Sequence, residues 1–216
     1  MVKVGWRSLI LAVALAAGCT ESRTAEPAPD PPSVSAGDPL VLFGGSEPTG
    51  WTQAGPGRFE LVDGDLRSRD GLGLLWYSAA AFGDFVLDLD WRLTRDTDNS
   101  GVFVRFPDPG GDPGVAINNG YEIQINDNPD GDPQKTGAIY GVQPPTARAS
   151  RPVGEWNHYT IQVTGADYAV WLNGTLVNQF TSTDARRPRQ GHIGLQNHDP
   201  GSEVYFRNVR LRPVRS

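Results

Sequence analysis

Cysteine is almost missing from this chain: Cys19 is the one cysteine in 216 residues. That excludes an intrachain disulfide framework and any multi-cysteine zinc site. Basic residues are outnumbered, 19 Lys/Arg against 25 Asp/Glu for a net charge of −6, which argues against a nucleic-acid partner. No segment carries a convincing helical period. There is no phosphate loop, no nucleophile elbow and no cysteine nucleophile, and His158, His192 and His198 lack the compact spacing of zinc ligands. Glycine and proline are plentiful instead, at 26 and 18 residues, well above their usual share of roughly 12%. The length suits one domain of ordinary size, rich in turns.

Residues 1–18 read as an export leader. Lys3 and Arg7 precede the apolar run Ser8–Gly18, which is too short for a transmembrane helix. Leu15-Ala16-Ala17-Gly18-Cys19 resembles the lipobox of bacterial lipoproteins, with Ala16 where Leu is more usual. The resemblance implies lipidation of Cys19 and a mature chain that starts there. Residues 19–39, rich in proline and free of aromatics, are expected to form a disordered tether. The domain over residues 40–216 keeps 16 Lys/Arg against 21 Asp/Glu, a charge of −5. The expectation is an exported, lipid-anchored envelope protein.

From Leu40 onward the apolar period is two. In Phe85–Leu93 the side chains of Phe85, Leu87, Leu89, Trp91 and Leu93 share one face, and Asp88, Asp90 and Arg92 the other. Asp63-Gly64 and Asn173-Gly174 each join two apolar runs, the signature of tight hairpins. Further strands are expected at Leu40–Phe43, Leu74–Tyr77, Gly101–Phe106, Tyr121–Asp127, Ala138–Tyr140, His158–Val163, His192–Gln196 and Glu203–Leu211. About a dozen short strands with Gly/Pro turns imply an all-β, two-sheet antiparallel sandwich or jelly roll. The tryptophans suit either core packing or sugar stacking, with Trp91 on the core side.

Polar side chains interrupt this pattern in rows. In Tyr121–Asp127, the side chains of Glu122, Gln124 and Asn126 point away from those of Tyr121, Ile123 and Ile125, at intervals of about 7 Å that suit the hydroxyls of a sugar. The same alternation sets Arg105 opposite Val102, Val104 and Phe106, and places Gln196, His198 and Arg207 in or beside strands. These groups either converge on one concave face or belong to a solvated outer face. The row holds one carboxylate, so the two-carboxylate mechanism of ordinary glycosidases lacks its partner; Asp127 would point to the other side in a regular strand. One base with a cationic neighbour suits removal of a proton beside a carbonyl. Asp127, Asp130 and Asp132 have the near-alternate spacing of a calcium loop but no terminal Glu, so a plain turn is expected and no metal or cofactor is assigned.

Nine ordered motifs span about Leu42 to Val214: Leu42-Phe43-Gly44-Gly45 with Gly50-Trp51; Asp84-Phe85 to Trp91-Arg92; Asn99–Arg105; Gly120–Ile125 with Asp127; Thr136–Gly141; Gly154–Asn157; Leu172-Asn173-Gly174; Gly194–His198; and Phe206–Val209. Together they resemble the 3-keto-disaccharide hydrolase family. The resemblance implies a concanavalin A-like lectin/glucanase sandwich whose concave sheet binds sugar. It also implies cleavage of glycosides oxidised to a ketone at C3: a base removes the acidified C2 proton, the glycosidic oxygen leaves C1, and water adds to the product. On that reading Glu122 or His198 is the base and the other the proton donor, and Arg105 polarises the ketone. Gln124, Asp127, Tyr140, Gln196 and Arg207 would bind substrate. Asn197 stands where many members have Asp. Two other functions stay open, a non-catalytic lectin-like carbohydrate-binding lipoprotein module and an envelope interaction domain.

Overall fold

A computed structural model of the chain describes Asp30 and residues 39–214. The leader 1–18, Cys19 and nearly all of the 19–39 tether lie outside the described residues. The strands run β1 Leu40–Phe43, β2 Trp51–Ala54, β3 Arg58–Val62, β4 Asp65–Arg69, β5 Gly73–Tyr77, β6 Phe85–Leu93 and β7 Asn99–Phe106. After one short helix, α1 Gly114–Asn119, come β8 Tyr121–Asn126, β9 Asn157–Thr164, β10 Asp167–Leu172, β11 Thr175–Thr181, β12 His192–Asn197 and β13 Val204–Pro213.

The strands form two antiparallel sheets. One has the order β11-β10-β9-β6-β13-β4-β3, with β1 also paired to β13; the other has the order β2-β5-β12-β7-β8. β13 serves both β4 and β1 because its ladder with β6 shifts between Arg207 and Arg210, around Asn208 at φ 54°. Both expected hairpins form, with Asp63-Gly64 at φ 52° and 86° and Asn173-Gly174 at 52° and 83°, the paired positive angles that match the twist of two strands.

The inner faces of the two sheets bury one core, in which Phe85, Leu87, Leu89, Trp91, Tyr159 and Ile161 face Val102, Val104, Ile123, Ile125, Ile193 and Leu195. A second, smaller core lies on the outer face of the five-stranded sheet, where Ala116 of α1 meets Ala54, Leu74, Trp76, Phe103 and Phe106. Half of that face is thereby dry and half polar.

Three local expectations change. Ala138–Tyr140 is no strand: Ile139 makes single bridges to Ile123 and Gln143, between Gly137 at φ 90° and Gly141 at 69°, which bend the chain away. β2 and α1 were not expected. The helix is under two turns long and buries only Ala116, too little to show a 3.6-residue period. The four residues of β2 carry too few apolar positions to alternate visibly.

Candidate active site

Residues opposite one another in a ladder share a face. On the outer face of the five-stranded sheet, one row runs Glu122, Phe103, Gly194, Trp76. The next runs Gln124, Gly101, Gln196, Leu74, where the register of β12 and β7 continues to put Gly101 beside Gln196. The backbone N–H of Tyr140 donates to Glu122 O at 2.9 Å, which brings half-exposed Tyr140 level with Glu122 at the edge of β8. Thus Glu122, Gln124 and Gln196 share one face, and the backbone of Tyr140 lies along its edge.

Glu122 is 8% exposed, and its side chain lies over Gly101: a Cβ added there would meet Glu122 Cγ at 2.7 Å and Cδ at 2.9 Å. Only a residue without a side chain leaves that space. Burial pushes the carboxyl up to about 8, against the pull of a hydrogen bond from Gln196. With its amide turned so that nitrogen faces them, Gln124 donates to Glu122 Oε1 at 3.2 Å and to Ser100 O at 2.9 Å. No Lys, Arg or His among the described residues makes an ion pair with Glu122, so no cation offsets the burial that favours the protonated carboxyl, the form able to donate a proton.

Two polar atoms on the same face of β7 and β12 have no partner and are shut off from solvent, Gln196 Oε1 and Asn99 Oδ1. A buried polar atom left unpaired costs about 1–3 kcal/mol, and such atoms mark where a ligand's hydroxyls would complete the network.

His198 directly follows β12. Continuing the register three residues past Leu195 and Val102 places it beside Asn99, about 8 Å from the space over Gly101 on ordinary strand spacings. Its Nδ1 meets Asp199 Oδ2 at 2.8 Å. Asp199 is fixed in turn by Gly201 N, Ser202 N and Ser202 Oγ, and Ser202 Oγ accepts from Asn99 N at 2.9 Å. Partial burial raises the Asp199 carboxyl, but the bonds from His198 and Ser202 outweigh this and hold it below its ordinary value. A carboxylate on Nδ1 selects the tautomer that leaves Nε2 free to accept a proton. Asn197 does not touch this pair; its amide donates to Arg58 O and Arg69 O.

Arg105, expected beside Glu122, is elsewhere. The β12–β7 register shifts between His192 and Ile193, and Arg105 occupies the shift at φ 54°. The extra residue moves Phe106 to the face of Phe103 and sends the guanidinium across the end of the sandwich. There it donates to Gly83 O at 2.7 Å, Asp84 Oδ1 at 2.6 Å and Gly165 O, 1% exposed. It clamps the entry to β6 against the β9–β10 turn, away from Glu122.

Arg207 also departs from expectation. It lies on β13 of the other sheet, 3.9 Å over the Trp156 ring and 3.3 Å from Asp90 Oδ2. Asp127 follows the end of β8 and accepts from Ser150 Oγ at 3.1 Å, away from Glu122. The acidic loop is a set of turns: Asp130 Oδ1 accepts from Asp132 N and Lys135 Nζ, and Asp132 Oδ1 from Gln134 N. Among the described residues no three His, Cys, Asp or Glu side chains gather into a metal site.

Gly101, Asn99 and Asp199 were not singled out as site residues in the sequence, and Trp76, left there between core packing and sugar stacking, lies in the second core. A glycine inside a strand signals a close approach, and Gly73–Tyr77 is apolar on both faces, the mark of a strand covered on both sides.

Comparison with known proteins agrees with this architecture. The model of a family described as a 3-keto-alpha-glucoside-1,2-lyase-like domain matches residues 38–212. Two solved structures of Parabacteroides distasonis ATCC 8503 proteins described as candidate glycosyl hydrolases are similar. One is 28% identical, covering 82% of this chain and 100% of its own, with a TM-score of 0.70. The other is 25% identical over 89% and 95%, with a TM-score of 0.66. A carbohydrate-binding module of Bacillus subtilis, CBM66, shares the fold at 18% identity over 74% and 94%, TM-score 0.55. No curated protein matches.

Proposed function

Since the chain belongs to the 3-keto-alpha-glucoside-1,2-lyase-like family, we propose that it cleaves 3-keto-glycosides at the outer face of its five-stranded sheet, with His198 as base and Glu122 as acid. The observation that carries this reading is the buried Glu122 carboxyl, raised to about 8 and without a cationic partner, beside polar atoms that lack partners.

The C3 ketone acidifies the C2 proton. His198 Nε2 takes that proton, the electrons move into the C2–C3 enolate, and their return to form C1=C2 expels the aglycone oxygen from C1. The Glu122 carboxyl gives its proton to that oxygen, leaving a carboxylate and an imidazolium. Hydration runs the transfers backwards: Glu122 takes a proton from the water that adds to C1, and His198 returns one to C2. Each proton moved in elimination is restored, and the net change is hydrolysis. Gln196 Oε1 and Asn99 Oδ1 would accept from sugar hydroxyls, and Gln124 positions the carboxyl.

The same reading puts the protein outside the cytoplasm, anchored through Cys19. The reading is tested by turnover of 3-keto-glycosides against their unoxidised counterparts. Sugar binding without turnover would favour a carbohydrate-binding module instead.

A further inference from the structure

Beyond Asn126 the polar row of β8 ends at a separate open cavity of about 390 Å³. Its walls include Asp127, Lys135, Thr136, Arg148, Ser150 and Arg151. Three cations against one carboxylate is unusual on a domain whose net charge is negative. Their commitments differ. Lys135 Nζ is held by Asp130 Oδ1 and Asn128 O, each at 2.5 Å. Arg151 gives one guanidinium nitrogen to Trp156 O at 3.0 Å. Arg148 makes no hydrogen bond or ion pair among the described residues, and its side chain also borders an adjoining cavity of about 360 Å³.

The polar groups here are of two kinds. Arg148 and Arg151 offer planar forks of donors suited to a carboxylate. Asp127 and Ser150 offer acceptors for hydroxyls, and Thr136 Oγ1, which accepts from Asn126 N at 3.0 Å, keeps its own hydrogen to donate. A bare phosphate would meet repulsion from Asp127, whereas a polyol carrying a carboxylate satisfies both kinds.

We propose that this cavity binds the carboxylate-bearing unit of an acidic sugar, Arg148 pairing with the carboxylate and Asp127 with ring hydroxyls. The proposal rests on the Glu122 face taking a glycoside: Asp127 follows the last residue of β8, five positions on from Glu122, which at the rise of an extended chain separates the two by at most about 17 Å, a span that a short oligosaccharide covers. It makes the preferred substrate an oligosaccharide with a uronic acid away from its 3-keto unit.

The test is calorimetric titration of the full chain, and of its Arg148→Gln and Arg148→Lys variants, with a glucuronyl-glucose disaccharide, the matching glucosyl-glucose disaccharide and inorganic phosphate. The acidic disaccharide is expected to bind at least tenfold more tightly than the neutral one, the scale of one charge-assisted bidentate contact. Arg148→Gln should erase that preference and Arg148→Lys keep part of it. Equal affinities, a preference that survives Arg148→Gln, or tighter binding of phosphate than of the acidic disaccharide would overturn the proposal. Because binding of unoxidised sugars needs no catalysis, a preserved preference in a chain that turns over no 3-keto-glycoside would strike the catalytic reading alone. Lost preference with turnover intact would strike this proposal alone.

Discussion

Replacing Glu122 by Gln is expected to make the protein more stable in mild alkali while removing its acid. Burial raises the folded-state carboxyl from 4.5 to about 8, so the native state favours the protonated form. The stability this gives is fully present below 4.5 and is lost as the pH rises through about 8. Each pH unit between the two values is worth about 1.4 kcal/mol, so the native state loses roughly 5 kcal/mol across the window. Gln keeps the volume and carries no charge at any pH. The check is urea and thermal unfolding of both full chains in steps from pH 5 to pH 9. His158, which the carboxylates of Asp88 and Asp90 hold up at about 9, also loses stability over this range, but it does so equally in both proteins and cancels in the difference. The melting-temperature advantage of Glu122→Gln should widen by on the order of 10 °C from pH 5 to pH 9, at roughly 2–4 °C per kcal/mol for a domain of this size. A difference that stays constant with pH would refute the burial argument.

Three further outcomes follow from the same structure. Gly101→Ala forces Glu122 off its seat, so turnover should fall about 10²-fold or more, the scale of a lost acid, while urea unfolding shows a far smaller change; undiminished kcat would show that the carboxyl acts from another position. Arg105→Gln leaves Asp84 without its buried cation and should cost about 3–5 kcal/mol in urea unfolding, yet leave KM for a 3-keto-glycoside within a few-fold where the variant folds; a selective loss of kcat with stability intact would return Arg105 to the chemistry. Palmitate labelling of cells that express the chain should be lost in Cys19→Ala; labelling that persists would move the lipid acceptor elsewhere or dismiss the anchor.

Much of the fold was legible because period-two alternation is a local property. Phe85–Leu93 forms a strand with the expected bounds and buries the expected face, and both hairpin dipeptides sit in hairpins. The polar row on β8 was legible for the same reason, since alternation alone sets Glu122, Gln124 and Asn126 on one side. Arg105 was not, because one residue at positive φ breaks the alternation that the argument relied on, and no residue type at that position announces the bulge. Arg207 was misplaced for a different reason. Its strand was read correctly, but which of two sheets a strand joins depends on long-range pairing that periodicity does not contain. The raised Glu122 carboxyl depends on its burial over Gly101 of the neighbouring strand, a feature set by tertiary packing.

The central claim is that a ketone is required and that Glu122 protonates the leaving group. It is tested most directly by measuring turnover of a 3-keto-disaccharide and of p-nitrophenyl 3-keto-glucoside, each beside its unoxidised form, in the full chain and in His198→Ala and Glu122→Gln. The account predicts cleavage of both ketones and of neither unoxidised glycoside, and loss of both activities in His198→Ala. In Glu122→Gln the disaccharide rate should fall by about 10²–10⁴, while release of p-nitrophenolate, which leaves without a proton, stays within about tenfold. Cleavage of the unoxidised glycosides, or full turnover of the 3-keto-disaccharide by Glu122→Gln, would contradict it.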